Sequence, residues 1–138
     1  MVVTDTIELD TQGRADMLNI TGAVAESVKA CGIKSGIVTI FCPGSTSAIT
    51  TIEYESGALS DLKRTFDDIA PPDADYAHNQ RWGDGNGHSH VRAALLGPSL
   101  TVPFLDGELL LGTWQQITYC DFDNRPRSRR LVLQILGD

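Results

Sequence analysis

The hydrophobic and polar positions of the chain follow two different periods, which predict strands interleaved with a few helices. Short apolar runs, often β-branched and without helical spacing, predict strands at residues 7–10, 36–42, 48–55, 100–105, 109–119 and 131–136. Asp106 and Gly107 separate two of these runs, and an Asp-Gly pair in that position is a strong hairpin signal. The C-terminal part of the chain is therefore expected to form an antiparallel meander.

Apolar residues spaced three and four positions apart predict the helices, because this spacing lines one helical face. Capping residues, glycine and proline set the expected ends. The predicted helices, each with the residues expected to start or stop it, are 21–31 (Thr21, Gly32), 60–70 (Pro71, Pro72) and 89–96 (Ser89, Gly97).

Strands outnumber helices in this pattern, and their short connections favour antiparallel pairing. A sheet of this kind buries one face against a second layer. A chain of 138 residues is the size of one domain. The sequence therefore predicts an α+β fold in a single domain over residues 1–138, a mainly antiparallel β-sheet with two or three packed helices.

Charge and composition narrow the expected partners. With 41% hydrophobic and 21% charged residues and a formal net charge of −7, the chain has the composition of a soluble globular protein. Neither nucleic acid nor membrane is expected as a partner, because both depend on clustered Lys and Arg. The one basic run is interpreted as a solvated turn and strand face, with anion binding as the alternative; it comprises Arg125, Arg127, Arg129 and Arg130.

Three cysteines without CxxC spacing favour reduced thiols over a disulfide framework. No apolar run reaches the ~18 residues that span a bilayer, and the first residues lack a signal-peptide pattern. A cytoplasmic protein is expected.

All three histidines of the chain lie within thirteen residues, at positions 78, 88 and 90. Histidine is the side chain best suited to metal ligation or proton transfer near neutral pH. With His78 expected on a strand before a glycine-rich loop and His90 at the start of a helix, His78, His88 and His90 would form a metal site with one open position. Asp84 or Asn86 would orient an imidazole or add an oxygen ligand.

One geometric condition limits this grouping, and a second interpretation of the histidines stays open. On a regular helix, side chains two residues apart diverge by about 200°, so His88 joins His90 only if it lies before the first turn. In the alternative interpretation the histidines cap the helix, hydrogen-bond the backbone or lie in solvent.

A second candidate follows the strand that ends at residue 42. Backbone N–H groups freed by Gly44, with the hydroxyls of Ser45, Thr46 and Ser47, would suit a phosphate. A plain hairpin turn is the alternative, since a strand rather than a helix follows and no Walker sequence is present.

A third candidate is the polar pair Thr113 and Gln115 around Trp114. On a strand, Thr113 and Gln115 point to one side and Trp114 to the other. The pattern suits either a pocket wall or a solvated sheet face.

In their order along the chain, these motifs resemble the YjbQ family of small bacterial and archaeal proteins, often named secondary thiamine-phosphate synthase enzyme. The resemblance runs from about Ile37 to the C-terminus. Its most specific segments are YAH at 76–78, NGHSH at 86–90, LGPSLTVP at 96–103 and GTWQ at 112–115.

The resemblance implies an α+β sheet fold, a homotrimer, a bound divalent metal ion (Zn or Mg) and a secondary thiamine-phosphate synthase activity. That reaction joins a pyrimidine diphosphate to a thiazole phosphate and releases pyrophosphate, so it needs anion-binding donors. The resemblance matches His78 and His90 to the two recurrent histidines of the family, and with Gln115 they are the candidate catalytic residues. The candidate metal ligands are His78, His88 and His90, of which His88 comes from the histidine segment alone and not from the resemblance. The candidate residues for binding a phosphorylated ligand are Ser45, Thr46, Ser47, Arg92, Thr113 and Trp114, of which Thr113 and Trp114 match the GTWQ segment of the family.

The chain departs from the family pattern at three positions. Ser45 stands where the family commonly has a histidine, Glu53 and Glu55 flank Tyr54 where an Asn-Glu pair is common, and His88 is an additional histidine. Two other hypotheses fit the same residues. One is a non-catalytic trimeric module that binds a metal or a small anion, and the other is a purely structural or interaction protein.

Overall fold

Twelve elements follow one another along residues 1–138, all of which the computed structural model describes. The strands are β1 (Val2–Thr11), β2 (Asp16–Asn19), β3 (Gly36–Phe41), β4 (Ser47–Glu53), β5 (Ser99–Leu105), β6 (Glu108–Leu109), β7 (Gln115–Asp121) and β8 (Arg127–Gly137). The helices are α1 (Thr21–Ala30), α2 (Ser56–Ile69), α3 (Ala77–Trp82) and α4 (Gly87–Leu96). None of them has the length and apolar character needed to cross a membrane.

The strands form a five-stranded sheet in the order β1-β8-β3-β5-β6 and a three-stranded sheet in the order β2-β7-β4. Every pairing is antiparallel. In β8, Leu131, Leu133 and Ile135 are fully buried while the residues between them are not, as the two-residue period of a strand requires. The predicted α+β class with a mainly antiparallel sheet is confirmed, with four helices where two or three were expected.

Two apolar clusters hold the sheets and helices together. The larger packs Val24 and Val28 of α1 against the sheets. The smaller fixes α2 through Phe66 and α4 through Ala93, with the rings of Phe66 and Phe122 meeting edge to face at 4.9 Å. Burial of a large apolar side chain contributes about 1.5–3 kcal/mol. Helix α4, which carries His90, is thus anchored by the smaller cluster.

The C-terminal meander confirms one turn prediction and corrects one strand. Asp106 and Gly107 both have positive φ, 51° and 78°, as a two-residue type I′ hairpin requires. The run at 109–119 is not one strand: β6 ends at Leu109 and β7 begins at Gln115. The side chain of Gln115 accepts a hydrogen bond from the Gly112 N–H at 3.0 Å, so the intervening residues form a turn instead of a ladder.

Two helix starts also differ from the sequence prediction. The α1 N-cap position belongs to Ile20, and the Thr21 hydroxyl instead accepts the Ile117 N–H at 2.8 Å, which ties the helix to β7. Helix α2 begins at Ser56 because the Glu55 carboxylate accepts the N–H groups of the first turn, a role more common for Ser, Thr, Asp and Asn. The start predicted at residue 60 was therefore one turn late.

His78 lies on a short helix, α3, so its predicted placement on a strand is wrong. Helix α4 begins at Gly87, and Ser89 lies inside it with its hydroxyl 2.6 Å from the Phe122 carbonyl oxygen. The two helices pack closely: a Cβ on Gly87 would lie 2.4 Å from the Tyr76 Cβ. The Asn79 side chain accepts the Gly87 N–H at 2.9 Å and fixes this approach.

Candidate functional site

One cluster of potential metal ligands is present: His78 on α3, His90 on α4 and Asp84 in the turn between them. The imidazole centroids of the histidines are 4.4 Å apart, and His78 Nδ1 lies 3.3 Å from Asp84 Oδ1. One ligand atom from each residue lies within 4.8 Å of the other two. The structure thus brings His78 and His90 together, as the sequence suggested.

Two glycines create the turn that places Asp84. Gly83 ends α3 with φ of 65°, and Gly85 follows with φ of 70°, a region of backbone space that glycine occupies without steric cost. Asp84 Oδ1 also accepts the Asn86 N–H at 3.1 Å, a local bond typical of Asp in turns. The carboxylate is therefore held facing His78 by the backbone of its own loop.

His90 is oriented by the loop between β3 and β4. Its Nδ1 lies 3.0 Å from the carbonyl oxygen of Ser45. A carbonyl oxygen only accepts hydrogen bonds, so Nδ1 carries the proton and Nε2 is the nitrogen with a free lone pair. Metal-binding histidines usually have such a carbonyl or carboxylate behind the ring.

His78 has an unsatisfied ring nitrogen. Its Nδ1 is buried and, despite the nearby Asp84 carboxylate, makes no hydrogen bond. Two ligands of a tetrahedral zinc, each about 2.0–2.1 Å from the metal, are separated by about 3.3 Å. The 3.3 Å between His78 Nδ1 and Asp84 Oδ1 has that value, so a shared cation would satisfy both atoms.

A cavity of about 230 Å³ adjoins His90, between the β3–β4 loop and α4. Ser45, Ser47 and Ala93 are among its lining residues. The Ser47 hydroxyl has no hydrogen-bond partner, but its oxygen is completely buried, so Ser47 lines the cavity without exposing that oxygen to a molecule in it.

His88 does not join the cluster, which corrects its inclusion among the expected metal ligands. Because α4 begins at Gly87, His88 and His90 both lie on the helix and their side chains diverge by about 200°. His88 is 6% exposed. Burial lowers the pKa of its imidazole, and the nearby Arg92 charge lowers it further.

The expected phosphate-binding residues are not gathered into one cradle. The Thr46 hydroxyl donates to Asp123 at 3.0 Å and accepts from Arg129 at 2.8 Å. Arg92 lies on the far side of α4 from His90, where it contacts Asp67 at 2.9 Å. Of Ser45, Thr46 and Ser47, only Ser45 and Ser47 line the cavity beside His90.

Thr113, Trp114 and Gln115 lie at the opposite end of the three-stranded sheet. Strand β4 pairs with β7 from Ser47 opposite Asp121 to Glu53 opposite Gln115. Six residues of strand span about 20 Å at 3.3 Å per residue, so this segment is remote from His90 within one chain. Trp114 is 72% exposed and borders a separate cavity of about 450 Å³.

The basic run at the C-terminus contains an ion-pair network that the sequence analysis missed. Arg129 binds Asp121 through Nε and Nη2, both at 2.8 Å, and Arg127 pairs with Asp123 at 3.0 Å. Although burial raises the pKa of Asp123, hydrogen bonds, the largest from Arg127, outweigh it and leave that pKa below its usual value. The sequence does contain a signal for this network. The two aspartates, Asp121 and Asp123, are two positions apart, as are Arg127 and Arg129, and residues two apart share a strand face.

The same architecture is found in other proteins. A family model described as UPF0047 protein YjbQ-like matches residues 5–138. A UPF0047 protein of Methanothermobacter thermautotrophicus is 41% identical over 99% of this chain and 93% of its own length. UPF0047 protein YugU of Bacillus subtilis is 34% identical, covering 96% and 98%. A crystal structure of a YbjQ-like protein of unknown function from Sulfolobus solfataricus P2 superposes with a TM-score of 0.94 at 33% identity, covering 100% and 99%.

Proposed function

We propose that this chain, which belongs to the YjbQ-like UPF0047 family, binds one divalent metal ion through His78, Asp84 and His90. The observation that carries the proposal is the convergence of their three ligand atoms within 4.8 Å. The orphaned Nδ1 of His78 and the carbonyl behind His90 support it independently, since both suit a cation between the rings.

The donor set favours zinc over magnesium. Two imidazoles and one carboxylate are common zinc ligands, whereas magnesium prefers oxygen ligands and keeps several waters. Three protein ligands leave the fourth tetrahedral position free, which is the arrangement of catalytic zinc sites. The metal ligands expected from the sequence were His78, His88 and His90, and in this proposal Asp84 takes the place of His88.

Catalysis at this centre would act on a small polar molecule. A bound zinc supplies an activated water or polarises a substrate oxygen. The chain's own contribution is the cavity of about 230 Å³ beside His90, which Ser45 and Ser47 line. The Ser45 carbonyl keeps His90 in one tautomer, so that the ring does not turn away from the metal.

Thiamine-phosphate synthase activity is the second candidate, and it comes from the family resemblance. The cavity of about 230 Å³ beside His90 is the place where a small ligand of such a synthase would bind. Thr46 and Arg92, however, are already bound to the carboxylates of Asp123 and Asp67, so the single chain offers few donors for a departing pyrophosphate at this place. Complementation of a thiamine auxotroph by the wild type but not by H90A is the result expected of such a synthase.

A homotrimer is also proposed. Val91 and Leu95 are 41% and 62% exposed on α4 and lie four residues apart, so they form an apolar stripe on the helix that carries His90. Another subunit covering this stripe would enclose the cavity beside His90. It would also be a means of bringing Trp114 of one chain towards the histidines of another.

Metal analysis of protein purified without a histidine tag tests the metal proposal. The wild type is expected to contain about one zinc per chain, and H78A and H90A to lose it, while D84N binds more weakly. In cobalt-substituted protein, visible absorption bands typical of tetrahedral cobalt are expected and should disappear in the same variants.

The matched control is H88N, which changes a histidine of the same segment that does not reach the cluster. Circular dichroism verifies that each variant is folded. Equal metal content in H78A, H90A and H88N would show that the proposed centre does not hold the ion.

A further inference from the structure

A basic cavity of about 310 Å³ lies between α2, α4 and the turn before β2. It is separate from the cavity beside His90, because His88 and Arg92 line it from the other side of α4. Its charged and polar lining residues are Arg14, Lys63, Asp67, His88, Arg92 and Asn124.

The cations at the rim of this cavity have no partners in the chain. The chain has 18 acidic and 11 basic residues, so a lysine or arginine has many carboxylates available. Arg14 and Lys63 nevertheless form no ion pair. Lys34, Arg81 and Arg125 are unpaired too, but Arg14 and Lys63 border the same cavity, and two cations side by side attract an anionic ligand.

Two buried side chains at the floor of the cavity, His88 and Arg92, each have a nitrogen that makes no hydrogen bond within the chain. His88 is 6% exposed and its Nδ1 has no hydrogen-bond partner. Arg92 is 3% exposed and donates from Nε to the Ala70 carbonyl and from Nη2 to Asp67, which leaves Nη1 free. Arg92 Nη1 is therefore a free charged donor at the floor of the cavity, and a ligand that accepts from it is favoured.

The backbone beside the cavity is strained in a way that fixes its wall. Gly13, Arg14 and Ala15 have consecutive positive φ values of 72°, 55° and 66°, a conformation that is sterically unfavourable for the L-residues Arg14 and Ala15. The N–H groups of Arg14 and Ala15 bond the carbonyls of Asp123 and Asp121 at 2.7 and 2.9 Å, which maintains the turn. Arg14 is thereby held at the rim.

We propose that this basic cavity binds the phosphate group of a small phosphorylated molecule. Arg14, Lys63 and Arg92 supply three positive charges against one from Asp67, so a dianion fits better than a monoanion. Arginine and lysine bind phosphate oxygens through short charge-assisted hydrogen bonds. The volume also exceeds that of phosphate alone, and it lies at the small end of the range for ligand pockets. The site lies beyond the proposed metal centre and does not depend on it.

A titration followed by amide NMR spectra tests this inference, with inorganic phosphate and glycerol 3-phosphate as separate probes. Sodium chloride keeps the ionic strength constant. Saturable shifts are expected at the amides of Arg14, Ala15, Gly85 and Asn124. Tighter binding of glycerol 3-phosphate identifies an ester as the ligand, and tighter binding of inorganic phosphate identifies the free ion.

The exposed cations are the variants of choice because they contribute little to folding. R14Q and K63Q are each expected to weaken phosphate binding about tenfold, the loss of one charge-assisted contact. R64Q is the matched control: it makes the same charge change at the next position of α2 but outside the cavity. Binding in H90A, which lacks the metal centre, should equal that of the wild type.

Three results would overturn the inference. One is an equal loss of affinity in R64Q and K63Q, which would indicate unspecific attraction. Another is loss of phosphate binding in H90A, which would place the anion on the metal. The third is the absence of saturable shifts with both probes.

Discussion

Two histidines of α4, only two residues apart, have opposite surroundings. His90 is half-buried, and its Nδ1 hydrogen-bonds the Ser45 carbonyl. His88 is buried beside Arg92, and burial is the main cause that lowers its pKa. The helix geometry, rather than the sequence distance, therefore places His90 at the candidate metal centre and His88 beside Arg92 in the basic cavity.

The lowered pKa of His88 predicts a pH-dependent stability. Below the unfolded-state pKa of about 6.5, the unfolded chain binds a proton that the folded chain takes up less readily. The free energy of unfolding is thus highest above that pH and falls as the pH is lowered towards the folded pKa. Urea denaturation of metal-free protein between pH 8 and pH 5 is expected to show this decrease.

In H88N the decrease over this pH range should be smaller than in the wild type. The carboxyl of Asp123, whose pKa is also lowered, affects stability only at lower pH, where carboxyl groups titrate. An identical slope in H88N and wild type would contradict the assignment to His88.

At the level of elements, the candidate metal centre depends on how α3 approaches α4. Helix α3 has six residues, too few to be stable alone, so tertiary contacts must hold it. Gly87 permits one of these contacts, the close approach of Tyr76 to α4, because a side chain at position 87 would collide with Tyr76. The distance between His78 and His90 is thus set by a position that carries no side chain.

Substitution of Gly87 by alanine is expected to weaken zinc binding. The new Cβ would lie 2.4 Å from the Tyr76 Cβ, so α3 must move away from α4 and His78 with it. A loss of about tenfold or more in zinc affinity is expected, since second-sphere changes typically cost 10–100-fold. Competition with a zinc chelator measures it.

Gly22→Ala is the control for this substitution. Gly22 also lies in a helix, but a Cβ there meets no atom within 4 Å. Alanine is a better helix former than glycine, so G22A should bind zinc normally and be no less stable. Unchanged zinc affinity in G87A would show that the close approach of α3 is not needed.

The sequence predicted correctly those helix ends and turns that depend only on neighbouring residues. Gly32, with φ of 81°, ends α1, and Asp106 with Gly107 forms the hairpin, because each feature depends on neighbouring residues only. Helix α3 has no hydrophobic period in its six residues, and tertiary contacts rather than propensity form it. The strand predicted for His78 was wrong for that reason.

The candidate site shows the same division. The sequence grouped His78 with His90 because they are near each other along the chain, and it noted Asp84 as a supporting residue. It did not separate His88, since that depends on α4 starting at Gly87 instead of Ser89. It also did not detect the basic cavity, because Arg14, Lys63 and Arg92 meet only through tertiary packing.

For the whole molecule, the unequal distribution of charge and apolar surface matters most. The chain carries a formal net charge of −7, yet one cavity collects unpaired cations and α4 exposes Val91 and Leu95. Like-charged chains repel one another. Association therefore needs an apolar contact that outweighs the repulsion, and α4 offers one.

Light scattering after size exclusion is expected to give a mass about three times that of the 14.9 kDa chain. L95D, which places a charge in the apolar stripe, should reduce the mass to that of smaller species. L105D changes a leucine of similar exposure, 53% against 62%, in the β5–β6 hairpin, and should leave the mass unchanged. A single-chain mass for the wild type would refute the proposed trimer.

Strand β1 lies at the edge of the five-stranded sheet and pairs with β8 on one side only. Its ten residues offer a long row of backbone groups on the open side, which is a template for fibre growth. The carboxylates of Asp5, Glu8 and Asp10 repel an identical strand that approaches there. The negative charges on this edge strand thus oppose the addition of further chains into fibres. They do not affect an oligomer of fixed size that forms through other surfaces.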